Sequence, residues 1–214
     1  MLPIIGVFIV CSCTSNPNTE YTESNVLLEI DSTKNLLIDY PPNYEDNDVN
    51  AVIEIPSGTL EKWELNKTTG QIERDSINGV PRTINYLGYP GNYGMIPQTL
   101  LSKEAGGDGD PLDIIVLGPP ASRGSVIKCK VIGVLYLLDN GEQDDKLIAL
   151  STNSPFYSIN SITELDEKQK GISEILKLWF TNYKGPEKMK SKGFGSRNEA
   201  LKIVDKAIQE FINN

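Results

Sequence analysis

Residues 107–120 read GDGDPLDIIVLGPP, and this run limits what the chain can fold into more than any other. Three carboxylates fall within six residues, on a backbone turned by glycine and stiffened by proline. They repel one another unless a cation lies between them. Hard divalent cations such as Mg²⁺ take oxygen ligands of this kind. Asp113 also opens the apolar run Ile114 to Leu117, which stops at Gly118-Pro119-Pro120. A short apolar run bounded in this way reads as a strand. The acidic turn is therefore expected at the rim of a sheet rather than on a free loop. A calcium EF-hand loop does not fit, because proline holds the fourth position, the third Asp falls one place late and no Glu closes twelve residues.

The neighbouring segments supply the rest of such a sheet. Ala51 to Ile55 and Leu60 to Leu65 read as strands joined by a Pro56-Ser57-Gly58 turn. Val126 to Leu138 is a long strand or a pair of strands, followed by Lys146 to Leu150. Between these two lies Asp139-Asn140-Gly141-Glu142-Gln143-Asp144-Asp145-Lys146, where Asn-Gly is a strong hairpin signal. Two helices close the chain. In the first, Ile172, Ile175, Leu176, Trp179, Phe180 and Tyr183 recur at helical spacing. The second begins at a capping box, Ser196 with Glu199, and carries a stripe of Ala200, Leu201, Val204, Ala207, Ile208 and Phe211. Short strands followed by terminal helices predict an α+β fold: a small, OB-like closed β-barrel with two or more helices packed outside it, one of them C-terminal.

A chain of 214 residues suits one domain with a real core. Its formal net charge of −9 argues against a nucleic-acid surface, which would need a basic stripe. An acidic protein that handles an anion must import positive charge, and bound metal ions are the usual means. The chain has no histidine, which excludes Ser–His and Cys–His catalysis and histidine-ligated zinc. Of three cysteines, only Cys129 falls within the expected domain, so no disulfide forms there. Alternation puts it on an apolar strand face with Ile127 and Val131, as a buried structural thiol.

The first residues read as an address. The run LPIIGVFIVCSC, from Leu2 to Cys13, is shorter than the ~20 residues needed to span a bilayer and suits the hydrophobic region of a secretory signal. Val10-Cys11-Ser12-Cys13 resembles a bacterial lipobox, which implies lipidation at Cys13, with Cys11 as the second choice, and membrane association through that anchor alone. No Lys or Arg precedes the run, unlike the usual signal. The expected organisation is a signal over residues 1–13, a flexible tether over 14–40 and one domain over 41–214. The location implied is the bacterial cell envelope, with a cytoplasmic protein as the alternative if the N-terminus is no signal.

With those motifs in place, the chain resembles the family I (soluble) inorganic pyrophosphatases. GDGDPLD matches that family's signature. Ile53-Glu54-Ile55-Pro56, Glu61-Lys62-Trp63-Glu64, Tyr89-Pro90-Gly91-Asn92-Tyr93-Gly94, the DNGEQDDK turn and Tyr183-Lys184 follow its order and near spacing. The resemblance covers roughly residues 50–190. It implies hydrolysis of pyrophosphate to two orthophosphates by metal-activated water, with several Mg²⁺ ions as cofactor and Mn²⁺ as a possible substitute. A divalent-cation or phosphate-binding lipoprotein on the same scaffold is the alternative. Family members assemble in different ways, so a homo-oligomer is one expectation.

Carried over residue by residue, the resemblance implies metal binding by Asp108, Asp110, Asp113, Asp139 and Asp144, with Glu54 and Glu64 helping to order metals and water. It implies phosphate contacts from Lys62, Lys146, Tyr183 and Lys184. Tyr93 would stand near the attacking water, Tyr89 would line the pocket and Asp110 would act as general base. The substrate arginine is either Arg74 or Arg82. Arg82 stands seven residues before Tyr89, close to the family interval, and is preferred, with Arg74 as a surface charge. Asn140 stands where the family often has an acidic residue, and Asp145 where an aromatic is common.

Overall fold

The computed structural model describes residues 33–43 and 48–214. The expected signal, Cys13 and most of the expected tether lie outside the described residues. The elements run β1 (Asp48–Ile55), β2 (Trp63–Asn66), β3 (Gln71–Arg74), β4 (Ser76–Ile77), β5 (Val80–Pro81), β6 (Asn92–Met95), β7 (Asp113–Leu117), β8 (Val126–Asp139), β9 (Glu142–Gln143) and β10 (Lys146–Ser151). After these come α1 (Ile162–Lys168), α2 (Ile172–Asn182), β11 (Met189–Gly195) and α3 (Arg197–Ile212).

The main sheet is mixed, and its pairings return to their start. β1 pairs with β6, β6 with β7, β7 with β10, β10 with β8, and β8 with β1. Only the β7–β10 pair is parallel. The length of β8 makes the closure possible: Val126 to Lys130 lie against β1, whereas Val134 to Asp139 lie against β11. Pairing therefore matches the α+β closed sheet expected from the strand pattern. Gly94 shows how tightly it is drawn, since a Cβ there would stand 1.9 Å from the backbone oxygen of Val52. No other residue fits that crossing without moving β1 from β6.

Both faces of the strands are covered, which explains their continuous apolar runs. Ile115, Leu117, Ile148 and Leu150 pack with Leu165 of α1 and Leu176 and Phe180 of α2. Ile114, Val116, Leu147 and Ala149 pack with Ala200, Val204 and Ala207 of α3. Cys129 is fully buried in the second cluster beside Val131, as its alternation requires. Burial also pushes its thiol far above the usual thiol range.

Several local expectations change. The segment after Pro56-Ser57-Gly58 does not fold back on β1; β2 pairs with β3 in a separate two-stranded arm. The tether expected over 14–40 ends earlier, because Leu36 and Tyr40 are buried against Val52, Met95 and Val126. Leu36 N–H donates to Gly70 O (2.8 Å), and Gln98 donates to the carbonyls of Ile38 and Tyr40. In α2 the apolar stripe is narrower than its spacing suggests, for Ile175 is 58% exposed. The capping box of α3 forms as expected. The short helix α1 and the edge strand β11 lack a clean pattern in the sequence. β11 alternates lysine with small residues and leans on β8 for its hydrogen bonds.

Candidate active site

A cavity of about 280 Å³ opens where the rim of the closed sheet meets the arm. Each element delivers its side chain for a local reason. Glu54 belongs to β1, where the ladder to β6 slips between Ile53 and Ile55. The bulge releases Glu54 from the ladder and turns it into the cavity between two buried isoleucines. Where the chain enters β2, Lys62 just before the strand and Glu64 within it face the cavity, whereas Trp63 between them does not line it. Asp108 and Asp110 come from the loop before β7, Asp113 is the first residue of β7, and Asp139 is the last residue of β8. Asn140 and Gly141, both at positive φ, make the tight turn that returns the chain to Asp144 and Lys146. Tyr183 and Lys184 follow the end of α2.

Seven carboxylates line the cavity, Glu54, Glu64, Asp108, Asp110, Asp113, Asp139 and Asp144, against five basic groups, Lys62, Lys67, Arg82, Lys146 and Lys184. Every basic group is ion-paired. Lys62 meets Glu64 at 2.8 Å, Lys67 meets Asp110 at 2.5 Å, and Lys184 meets Asp139 at 2.6 Å. Arg82 holds Asp75 at 2.5 Å. Lys146, only 2% exposed, bonds both Asp113 and Asp144. Burial alone would lower its pKa, but the two carboxylates outweigh that, and its ammonium titrates above the usual lysine range. Lys62 behaves alike: burial opposes its charge, while Tyr89, Glu64 and Glu54 favour it more strongly.

Glu54 behaves in the opposite way. Burial pushes its carboxyl up to about 8, although Lys62 and the Leu65 N–H at 2.8 Å pull the other way. Its folded pKa lies above the unfolded value of 4.5, so the unfolded chain gives up this proton first. Without divalent cation, stability should therefore fall as pH rises from about 5 to about 8, by a few kcal/mol, and level off above. Denaturant titrations in chelator should show this slope flattened in Glu54→Gln. An equal slope in both proteins would remove Glu54 as its source.

The structure brings all but one of the candidate residues to the cavity. Tyr89 is the exception; it lies in the core behind Tyr93, with ring centroids 5.3 Å apart, and does not line the pocket. Trp179 packs at a tilt against Tyr89 at 4.6 Å and stacks on Tyr183 at 4.5 Å, while its indole N–H donates to Leu87 O. Tyr89 thus supports the walls from which Tyr93 and Tyr183 project. Burial, the main cause, raises the Tyr183 phenol to about 12 and that of Tyr93 well above its usual value, so both remain O–H donors at neutral pH.

Between the two arginines, only Arg82 lines the cavity. Arg74 stands opposite Trp63 in the β2–β3 ladder, on the face turned away, and donates to Thr83 Oγ1 at 3.0 Å. The small β4–β5 hairpin folds out between Asp75 and Arg82, whose backbone N–H donates to Asp75 O at 2.8 Å. Sequence reading missed Lys67. A lysine in a polar turn looks like a solvated charge, and only the approach of this turn to Gly109 and Asp110 shows otherwise.

The donor set suits a hard divalent cation, being carboxylate oxygens from four separate segments: β1, β2, residues 108–113 and residues 139–144. Among the described residues no three carboxylates stand together as a finished cage. Mg²⁺ needs no such cage, because it keeps waters and takes one or two carboxylates together with substrate oxygens.

Known proteins agree with this reading. The inorganic pyrophosphatase family model matches residues 51–212. An inorganic pyrophosphatase of Ralstonia nicotianae is 37% identical over 165 residues, covering 74% of this chain and 89% of that protein. The crystal structure of inorganic pyrophosphatase from Thermus thermophilus superposes with a TM-score of 0.71 at 30% identity, over 84% of this chain and 99% of that one. A truncated vacuolar soluble pyrophosphatase of Trypanosoma cruzi, solved in complex with PPi, gives 0.75 at 29% identity, over 84% and 74%. Some eukaryotic structures are longer, and the chain spans 60% of the one from T brucei brucei. With the matched region running from the bulged strand of Glu54 into the last helix, the chain belongs to the inorganic pyrophosphatase family.

Proposed function

We propose that this chain hydrolyses pyrophosphate to two orthophosphates with a divalent cation as cofactor, and that the cation is Mg²⁺. The observation that carries the reading is the cavity itself, where seven carboxylates meet five cations and five of those carboxylates, Glu64, Asp110, Asp113, Asp139 and Asp144, are already ion-paired. The pairs that open to solvent, such as Lys67–Asp110 and Lys184–Asp139, are individually weak. A compact polyanion and its counter-cations can therefore exchange partners with them at little cost. The PPi complex of the related T. cruzi protein supports the same substrate.

A bound divalent cation would neutralise the substrate's charge and acidify a water. Asp108, Asp110, Asp113, Asp139 and Asp144 would hold it, with Glu54 and Glu64 ordering the surrounding water. Asp110 accepts the water's proton as its oxygen bonds one phosphorus and the bridging P–O bond breaks. Arg82, Lys62, Lys146 and Lys184 hold phosphate oxygens, and the Tyr183 phenol donates to the leaving phosphate. Tyr93 orients the water from the opposite wall. No covalent intermediate is required. The test is phosphate release by the full chain with Mg²⁺, with Ca²⁺, with chelator, and with ATP in place of pyrophosphate. Rapid magnesium-dependent release from pyrophosphate alone is expected; none from a folded, cation-binding protein would end the enzymatic reading.

Only Arg82 of the two arginines should matter to substrate. Arg82→Met should lower kcat/KM roughly a hundredfold, as loss of a charged, transition-state contact does, whereas Arg74→Met stays within about twofold. The reverse order would exchange their roles.

The proposal extends to the N-terminus on the lipobox-like run alone: Cys13 carries lipid, and the enzyme faces outward from a bacterial envelope membrane, on a tether. Mass spectrometry of the mature N-terminus tests this, and an unmodified Met1 would reject it. A homo-oligomer is also open to direct measurement by sedimentation.

A further inference from the structure

We propose that Arg123, which lines no part of the cavity, is a positioning residue for the reaction: it pins the β2–β3 arm to the bulge in β1, and so sets where Lys62 and Glu64 stand relative to Glu54. The inference rests on the function proposed above.

The cavity has two walls from different sheets. Glu54, Tyr93, Asp113 and Lys146 belong to the closed sheet, while Lys62 and Glu64 belong to the arm. No strand ladder joins β1 to β2, so the spacing of the walls depends on contacts outside the ladders, side-chain contacts among them. At the bulge, Ile53 faces Gly94 and Ile55 faces Tyr93, leaving Glu54 as the extra residue. Its carbonyl is thereby freed from the ladder. Arg123 Nε–H donates to that carbonyl at 3.1 Å. The same guanidinium lies 4.2 Å from the ring centroid of Trp63, within cation–π range. Trp63 stands in sequence between Lys62 and Glu64, whose own pairing at 2.8 Å faces the cavity.

Arg123 is itself held in place. Gly124 N–H donates to Ile53 O at 2.7 Å, and Ile53 N–H donates to Ser125 O at 2.9 Å. The root of the side chain is thus laced to β1, and its tip reaches the arm. A second link crosses nearby, from Leu65 N–H to the Glu54 carboxylate at 2.8 Å. Together they hold Glu54 at both its backbone and its side chain. Arg74 also faces Trp63, at 5.7 Å, but its bond to Thr83 stays within the arm's own connection. It shares the stacking charge without bridging the walls, which makes it the matched control.

The experiment compares kcat, KM for magnesium pyrophosphate and Tm in Arg123→Met, Arg123→Lys and Arg74→Met. Small misplacements of reacting groups cost up to about a hundredfold in rate. Arg123→Met should lose about tenfold in kcat with KM within twofold, the pattern of an interaction used only in the transition state. Arg123→Lys, whose ammonium can still reach the carbonyl of Glu54 and the indole face, should recover part of that loss. Arg74→Met should leave both constants within about twofold. Should Arg123→Met fail to fold, Arg123→Gln takes its place under the same criteria. Unchanged kcat in the Arg123 variant would overturn the inference, as would an equal loss in Arg74→Met or no recovery with lysine. Absence of turnover by the unaltered protein would instead remove the proposed function, and this inference with it.

Discussion

Asp110→Asn should slow pyrophosphate turnover by at least roughly a hundredfold while the protein still folds and still binds divalent cation. The change removes the proposed proton acceptor and one of five proposed cation carboxylates, leaving Asp108, Asp113, Asp139 and Asp144 for the cation. Asn is nearly isosteric with Asp, and the backbone holds the loop: Leu101 N–H donates to Asp110 O at 2.8 Å, and Gly109 N–H to Leu101 O at 2.7 Å. The Asp110 N–H also donates to Asp108 Oδ1, which the substitution leaves intact. The lost ion pair is with Lys67, and both side chains are about half exposed. Pairs that open to solvent contribute about 0–1 kcal/mol, so folding should barely change. Single-turnover kinetics with calorimetric cation titration checks this. Turnover near that of the unaltered protein would take the base role from Asp110.

Lys146→Met should be the most damaging of the site substitutions to stability, costing about 3 kcal/mol in chelator. Its ammonium is buried, and it answers two carboxylates, Asp113 at 26% and Asp144 at 17% exposure. Methionine fills much of the volume but leaves the carboxylates facing one another with nothing between. Like charges at such range repel strongly in a site of low dielectric. A divalent cation can take the lysine's place between them. The gain in Tm on adding Mg²⁺ should therefore be larger in the variant than in the unaltered chain. An equal gain in both would show that Asp113 and Asp144 do not share a cation.

The acidic loop was legible because its residues act as a local unit. Asp108, Asp110 and Asp113 lie within six residues, and the apolar run beginning at Asp113 could only be a buried strand. The DNGEQDDK turn was legible for a similar reason: Asn140 and Gly141 accept positive φ, which sets Glu142 opposite Asp139 and brings the Asp144 N–H to Leu137 O. The pairing of Arg74 and Arg82 with their roles was less so. Counting residues to Tyr89 favours Arg82, but the reason it reaches the cavity is the β4–β5 hairpin, which loops out between Asp75 and Arg82 and brings Arg82 back beside Asp75. Tyr89 shows the opposite limit. Its motif places it near the site, and only packing against Tyr93 and Trp179 puts it behind the wall.

By itself the sequence determined the kinds of chemistry available, because composition and local spacing survive in any fold. The chain has no histidine, its carboxylates cluster on glycine-rich turns, and its strands and capped last helix follow from short-range periodicity. Tertiary structure alone decided which charges meet. The Lys67–Asp110 contact joins residues 43 apart, and Lys184–Asp139 joins residues 45 apart. The bond from Arg123 to Glu54 spans 69. None of these pairs has a local signal, because each depends on where a closed sheet brings its rim to the arm. The strength of a charge pair depends on separation and burial, which the order of residues along the chain does not encode.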